Sequence, residues 1–329
     1  MVIPILLFLV GLVLLIKGGD WFVDGATGIA HRFRIPEILI GATVVSIGTT
    51  LPEVMVSATS AVSGHGEMAY GNAIGSIICN TALIAAISAA IRPSKIDRSA
   101  LGLPVLFFYI AAAIYLTVAI ATGFFSRTVG VVLVALFLFY MGLSVRKALK
   151  TPAVPKPAES DDVLTSEESA SKSSLVKEIV FLVIGAALIA FGANLLVDNG
   201  TIIAEKLGVP ESVIALTFVA LGTSLPELVT AITSLIKGHG ALSLGNIIGA
   251  NLFNLVTVSG VSILLSPFSI PAGKEIAGIN SSLLIDVPVM LFVMSFLTLP
   301  ALIRGKLSRV QGIVLLAVYA AFCVVQFVW

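Results

Sequence analysis

Long runs of apolar residues recur along almost the whole chain, and short polar stretches separate them. A helix needs about 20 residues to cross a hydrocarbon core of about 30 Å, and ten of the runs reach or approach that length. The pattern predicts ten transmembrane helices and therefore an all-α polytopic membrane protein. The predicted segments are residues 2–27, 38–62, 68–91, 101–122, 129–145, 179–203, 213–236, 242–265, 283–303 and 310–328.

The stretch between Lys150 and Lys177 departs from this pattern because it is rich in Pro, Ser, Asp and Glu. Such a composition cannot bury enough apolar surface to fold. The stretch is therefore predicted to be a linker, and it separates five transmembrane segments from five.

The composition agrees with a chain that lies mostly in a lipid bilayer. Hydrophobic residues make up 58% of the 329 residues and charged residues 11%, whereas soluble domains carry about a quarter charged residues. The formal net charge of +1 and the lack of a basic domain argue against nucleic acid as a partner. Cys79 and Cys323 fall inside apolar segments, so neither a disulfide framework nor a thiolate metal site is expected. No obligate protein partner is implied.

The distribution of basic residues predicts the orientation of the chain. If the N-terminus lies outside, fifteen of the 19 Lys and Arg residues fall on the cytoplasmic side, and nine remain there without the linker. Only Arg127, Lys206 and Lys274 fall on the opposite side. Because cytoplasmic loops carry the excess of Lys and Arg, we expect a multi-pass protein of the cell membrane with an outside N-terminus and a cytoplasmic central loop.

An internal repeat is the strongest signal in the sequence. A shift of 174 residues aligns residues 41–80 with 215–254 without a gap, and seventeen of the forty columns are identical. The matches include G-T-x-L-P-E at 48–53 and 222–227, and G-N-x-I-G-x-x-x-x-N at 71–80 and 245–254. Five segments separate each position from its counterpart, so the second copy enters the membrane from the opposite side. We therefore divide the chain into a first five-helix repeat at 1–148, a cytoplasmic linker loop at 149–178 and a second, inverted repeat at 179–329.

Inverted repeats are typical of alternating-access transporters, in which interrupted helices from both copies hold the substrate near the midplane. Proline and glycine supply the predicted interruptions. Pro52 and Pro226 remove a backbone donor, and Gly48 and Gly222 loosen the same turn. Backbone carbonyls freed in lipid must find partners, either a neighbouring helix or a bound cation.

Glu53 and Glu227 occupy equivalent positions near the middle of the second and seventh segments. An ionised residue at a helix centre costs roughly 2.5 to 3.5 kcal/mol on insertion scales, so it usually faces a partner or an aqueous cavity. No basic residue lies at comparable depth in both repeats, since the counterpart of Lys17 is Phe191. The simplest source of the missing positive charge is a transported cation.

Neutral oxygen donors surround both glutamates in the sequence, whereas His and Cys do not. Such a set suits hard cations, and Ca2+ takes six to eight oxygen ligands. Transition metals would prefer imidazole or thiolate ligands. The candidate donors are Thr49, Thr50, Ser76, Asn80, Thr223, Ser224 and Asn254.

The two G-T-[ST]-L-P-E motifs, each followed by the G-N motif, resemble the alpha repeats of the calcium/cation antiporter superfamily, and specifically of its sodium/calcium exchanger branch. The resemblance implies that Glu53 and Glu227 are central Ca2+ ligands and that Thr49 and Thr223 add backbone carbonyls. It also implies that the carbonyls of Ser46 and Ala220 line flanking Na+ sites.

The implied function is exchange of Ca2+ for Na+ by alternating access, with the two ions as substrates and no cofactor. The alternative is a proton-coupled antiporter of Ca2+ or another divalent cation. Many relatives have serine where this chain has Ala250, and several have aspartate where it has Asn254. The site therefore carries two formal negative charges.

Two other classes are disfavoured by the sequence. A channel usually builds its pore from several subunits or charged rings, whereas the duplication places a complete site in one chain. An intramembrane enzyme needs a nucleophile with a base or an aspartate pair, and no H-E-x-x-H or G-x-S-x-G string occurs. We therefore expect a transporter and no enzymatic activity.

Overall fold

The computed structural model describes residues 2–93, 96–150, 175–207, 222–271, 275–276 and 279–328. These residues contain ten helices, of which nine are long and apolar enough to cross a membrane. The fold class predicted from hydropathy is thereby confirmed. The helices are α1 (Val2–Arg32), α2 (Glu37–Val62), α3 (Gly66–Ile91), α4 (Arg98–Ala121), α5 (Arg127–Lys150), α6 (Leu175–Lys206), α7 (Leu225–Ile236), α8 (Gly240–Leu265), α9 (Ser282–Arg304) and α10 (Arg309–Val328).

Two predicted regions are described only in part. Residues 151–174, which make up most of the predicted linker, lie outside the described residues, as do residues 208–221 at the start of the seventh predicted segment. The second gap includes Ala220. The short helix α7 is the remainder of the seventh segment.

The prolines in the two repeats have different effects on their helices. The break predicted at Pro52 is wrong, because the α-helical part of α2 runs without interruption from Ser46 to Val62. Pro52 cannot donate to the carbonyl of Gly48, but membrane helices tolerate such a proline when neighbouring groups satisfy the freed backbone. In the second repeat the interruption is present. Thr223 and Ser224 form a turn, and Pro226 lies in the first turn of α7.

Helices α1 and α6 occupy equivalent places in the two repeats and pack against each other along their length. Glycines permit the close approach. A Cβ on Gly11 would lie 2.8 Å from the carbonyl oxygen of Gly192, and one on Gly18 would lie 3.0 Å from that of Gly185. Residue numbers rise along α1 as they fall along α6, so the two helices are antiparallel. Small residues at such a contact are typical of membrane helix pairs.

The four helices that carry the repeated motifs, α2, α3, α7 and α8, form the centre of the bundle. Each contacts the other repeat in an equivalent way. Helix α7 packs against a π-helical turn in α3 (Asn80–Ala85), and α2 packs against the corresponding turn in α8 (Asn254–Val258). Helix α8 is the most enclosed of the described spans, whereas α1, α6 and α10 present most of their surface outward.

The connections between the helices lie on two faces, as the predicted topology requires. On one face, strand β1 (Phe124–Phe125) after α4 pairs antiparallel with β2 (Phe268–Ser269) after α8. A second short hairpin, β3 (Glu275–Ile276) with β4 (Ile279–Asn280), belongs to the same connection.

On the other face, the connections after α1, α3, α7 and α9 meet. Asp24 accepts a hydrogen bond from Nζ of Lys237 at 2.7 Å, and Oε1 of Glu37 lies 2.8 Å from Nδ1 of His239. The backbone N–H of Ile96 donates to the carbonyl of Gly305 at 2.9 Å. The two faces therefore contain the loops that the basic-residue count assigns to opposite sides of the membrane.

Candidate cation site

Glu53 and Glu227 lie on different helices of the central group and are both completely buried. Glu53 follows Pro52 in the interior of α2, and Glu227 lies in the first turn of α7. Helices α2 and α7 are in contact, and Thr50, three residues before Glu53, lies within hydrogen-bond distance of the Glu227 carboxylate. Within the described parts of the chain, neither glutamate forms an ion pair with Lys, Arg or His. The equivalent positions predicted from the repeat thus place two acidic groups on adjoining helices, with no basic partner among the described residues.

The oxygens of these carboxylates are poorly supplied with hydrogen-bond donors. The hydroxyl of Thr50 lies 3.4 Å from Oε1 of Glu227. Among the described residues, nothing donates to Oε2 of Glu227 or to either side-chain oxygen of Glu53. Burying a carboxylate without partners is strongly unfavourable, so these oxygens are suited to binding a cation.

Asn80 and Asn254 occupy equivalent positions, and each begins a π-helical turn. Both side chains are completely buried. No hydrogen-bond partner for their amide groups is found in the described residues. Short π-helical turns within α-helices occur often at functional sites, and here the turns lie beside the glutamate helices of the opposite repeat.

The other predicted ligands lie on the same four central helices or at their ends. Ser46, Thr49 and Thr50 are buried on α2, Ser76 is buried on α3, and Ser224 is buried in the turn before α7. Thr223, in the same turn, is partly exposed. The hydroxyl of Ser46 donates to the carbonyl of Thr43 at 3.1 Å. The structure therefore places the predicted residues in one region, apart from Ala220, which lies outside the described residues.

Two further asparagines, Asn72 and Asn246, were not singled out from the sequence. They are equivalent residues of the two G-N motifs. The hydroxyl of Thr49 donates to Oδ1 of Asn246 at 3.1 Å, and the hydroxyl of Thr223 donates to Oδ1 of Asn72 at 3.3 Å. Their repetition at the same place in both motifs was the signal that could have identified them.

A second polar group near the centre has no equivalent in the other repeat. The amide of Asn251 donates to the hydroxyl of Thr81 at 2.7 Å and to the sulfur of Met294 at 3.1 Å. The counterparts of Asn251 and Thr81 are Ile77 and Leu255. Neither the repeat nor hydropathy could have indicated this contact.

The donor set around the glutamates consists of oxygen atoms and amides. No group of three or more His, Cys, Asp or Glu side chains suited to a metal occurs in the part of the chain that the structure describes. Two carboxylates among neutral oxygens match the chemistry of Ca2+ and Na+ better than that of a transition metal.

Comparisons with known proteins agree with this chemistry. The model of the sodium/calcium exchanger protein family matches residues 3–146 and 177–328. The sodium/calcium exchanger MaX1 of Methanosarcina acetivorans is 32% identical over 350 residues, and the putative antiporter CaxA of Alkalimonas amylolytica is 35% identical over 330 residues. Each alignment covers 98% of both chains. A solved structure of the sodium-calcium exchanger NCX_Mj, soaked with 2.5 mM Na+ and 10 mM Sr2+, matches with a TM-score of 0.78 at 32% identity and 97% coverage of both chains.

Proposed function

Because the chain belongs to the sodium/calcium exchanger family, whose members are transporters, we propose that it is a secondary active antiporter that exchanges Ca2+ for Na+ by alternating access. The observation that carries this proposal is the pair of buried carboxylates, Glu53 and Glu227, contributed by equivalent motifs of the two repeats. Their side-chain oxygens have few donors in the described structure and lie among neutral oxygen groups.

The proposed Ca2+ ligands are the side chains of both glutamates and the backbone carbonyls of Thr49 and Thr223. Neutral oxygens complete the site, and the carbonyls of Ser46 and Ala220 border flanking Na+ positions. The neutral side chains assigned to the site are Thr50, Ser76, Asn80, Ser224 and Asn254.

Charge explains why such a site would exchange ions rather than release one and return empty. One Ca2+ or two Na+ neutralise the carboxylates of Glu53 and Glu227. An empty site would leave two negative charges in a poorly solvating interior, which is costly. The site therefore changes its access more readily when loaded with either ion, and the two fluxes become coupled.

We also propose that the protein lies in the cell membrane. Its N-terminus would face the outside of the cell, and its linker would face the cytoplasm. The support is the excess of Lys and Arg on the face that contains Arg92, Lys237 and Arg309. The bilayer, Ca2+ and Na+ are the partners of this function, and no protein partner or cofactor is required.

Reconstituted vesicles test the proposal directly. Vesicles loaded with Na+ and diluted into Na+-free medium should accumulate Ca2+, and collapse of the Na+ gradient with an ionophore should stop the uptake. A matched sample with only a pH gradient should show none. Equal uptake driven by the pH gradient in the absence of Na+ would assign the chain to the proton-coupled alternative, and Ca2+ leakage without any opposing flux would indicate a channel.

A further inference from the structure

The threonine of each G-T-x-L-P-E motif donates a hydrogen bond to an asparagine of the opposite repeat. Thr49 of α2 donates to Asn246 of α8, and Thr223 before α7 donates to Asn72 of α3. Residues 49 and 223 are equivalent, as are 72 and 246. The two hydrogen bonds are therefore one contact made twice, across the interface between the inverted repeats.

These contacts act on the backbone that is proposed to hold the ion. A hydroxyl that donates to an asparagine oxygen fixes the orientation of its threonine. Asn72 also donates to the backbone carbonyl of Glu53 at 3.4 Å and to the hydroxyl of Ser57 at 2.8 Å. One asparagine thus links the turn before Glu227 to the backbone of Glu53.

We propose that Asn72 and Asn246 are positioning residues that hold the two glutamate motifs in register, so that carboxylates and carbonyls from both repeats face one cation. This inference rests on the proposed function. In this inference the asparagines act through the threonines, whose hydroxyls donate to their Oδ1 atoms, and not as ligands of the ion. They raise Ca2+ affinity because they restrict the conformation of the motif before the ion binds, so that less conformational entropy is lost on binding.

The two contacts differ in burial. Thr49 and Asn246 are almost completely buried, with exposures of 2% and 0%, whereas Thr223 and Asn72 are partly exposed. Water competes less well for the buried pair, and its distance is shorter, 3.1 Å against 3.3 Å. We therefore expect the Thr49–Asn246 contact to make the larger contribution.

Double-mutant cycles measure these contributions. The variants are Thr49→Val, Asn246→Ala and their combination, with Thr223→Val, Asn72→Ala and their combination in parallel. The readouts are the Ca2+ concentration that half-saturates the thermal stabilisation of the purified protein, and the KM and maximal rate of Ca2+ exchange in vesicles. Ca2+-for-Ca2+ exchange is used because it does not depend on Na+ coupling.

Each single variant should weaken apparent Ca2+ affinity by about threefold to tenfold, the range expected for one buried neutral hydrogen bond. The Thr49/Asn246 double variant should be no weaker than the single ones, and Thr49→Ser should recover most of the affinity. The control is Tyr70→Phe, which removes a buried cross-repeat hydrogen bond from Ser282 at 2.7 Å outside the motifs. It should lower the melting temperature and leave Ca2+ affinity unchanged.

Three results would overturn the inference. The first is an unchanged Ca2+ affinity in folded single variants, and the second is additive effects in the Thr49/Asn246 cycle. Either would leave the proposed function intact, because the wild-type protein would still bind and exchange Ca2+. The third is that Ca2+ does not stabilise the wild-type protein and that the wild-type protein does not exchange Ca2+. That result would overturn the proposed function as well.

Discussion

The hydroxyl of Thr50 in the first repeat lies 3.4 Å from Oε1 of Glu227 in the second, so one repeat donates a hydrogen bond to the carboxylate of the other. The counterpart of Thr50 is Ser224, which also has a hydroxyl. Thr50→Val keeps the side-chain shape and removes the donor. It should weaken apparent Ca2+ affinity by about twofold to tenfold. Thr50→Ser should restore it in the same vesicle assay, and failure of the serine to do so would assign the effect to packing.

Neutralising either buried glutamate should abolish exchange. Glu53→Gln and Glu227→Gln each remove one negative charge with little change in volume, so Ca2+ flux should fall to the background of empty vesicles. Because a buried carboxylate is costly, the apo variants should melt at the same temperature as the wild-type protein or higher. Flux in vesicles and melting in detergent check both parts. A variant that retains near wild-type flux would remove its glutamate from the site.

Transport should not require K+. Two carboxylates are balanced by one Ca2+ or two Na+, and a K+ ion bound beside Ca2+ would leave an uncompensated positive charge in a poorly solvating interior. Asn254 adds no further anion. Na+-driven Ca2+ flux with K+ replaced by choline on both sides, and with the membrane voltage clamped, should match the flux in K+. Strict dependence on K+ would show that another charged ligand takes part.

Two ion pairs on the same face should differ in their effect on stability. Glu178 accepts from Nε and Nη2 of Arg32 at 2.8 and 2.9 Å, and its side chain is only 10% exposed. Lys237 contacts Asp24 at 2.7 Å, but the Asp24 side chain is 50% exposed. Arg32→Met should destabilise the protein more than loss of the Lys237 pair, because it removes the bidentate partner of a largely buried carboxylate.

Lys237→Met is the matched comparison for that variant. Lys237 also contacts the carboxylate of Asp20 at 3.5 Å, and both of its carboxylate partners are well exposed, so its loss should cost less than about 1 kcal/mol. Denaturant unfolding of the two purified variants, measured in the same detergent, gives the difference. Equal destabilisation would mean that burial does not determine the strength of these pairs.

The prediction of the fold from sequence succeeded where the signal is local or repeated. Hydropathy located nine full spans and the described part of a tenth, because the length of a membrane helix is set by the thickness of the bilayer. The helix break predicted from proline and glycine is wrong at Pro52, which lies within a continuous helix, whereas Pro226 lies at the start of one. The same residue in the same motif has two outcomes, so the motif alone does not determine whether the helix continues.

The sequence by itself determined the membrane class, the inverted duplication and the equivalence of Glu53 and Glu227, since each of these is recorded in composition, spacing or identity. Only the tertiary structure decided that Thr49 binds Asn246, that Thr223 binds Asn72, and that Asn80 and Asn254 begin π-helical turns. Hydrogen bonds between residues 197 and 151 positions apart depend on how closely two helices approach. That approach is set by packing of the whole bundle, which no single motif encodes.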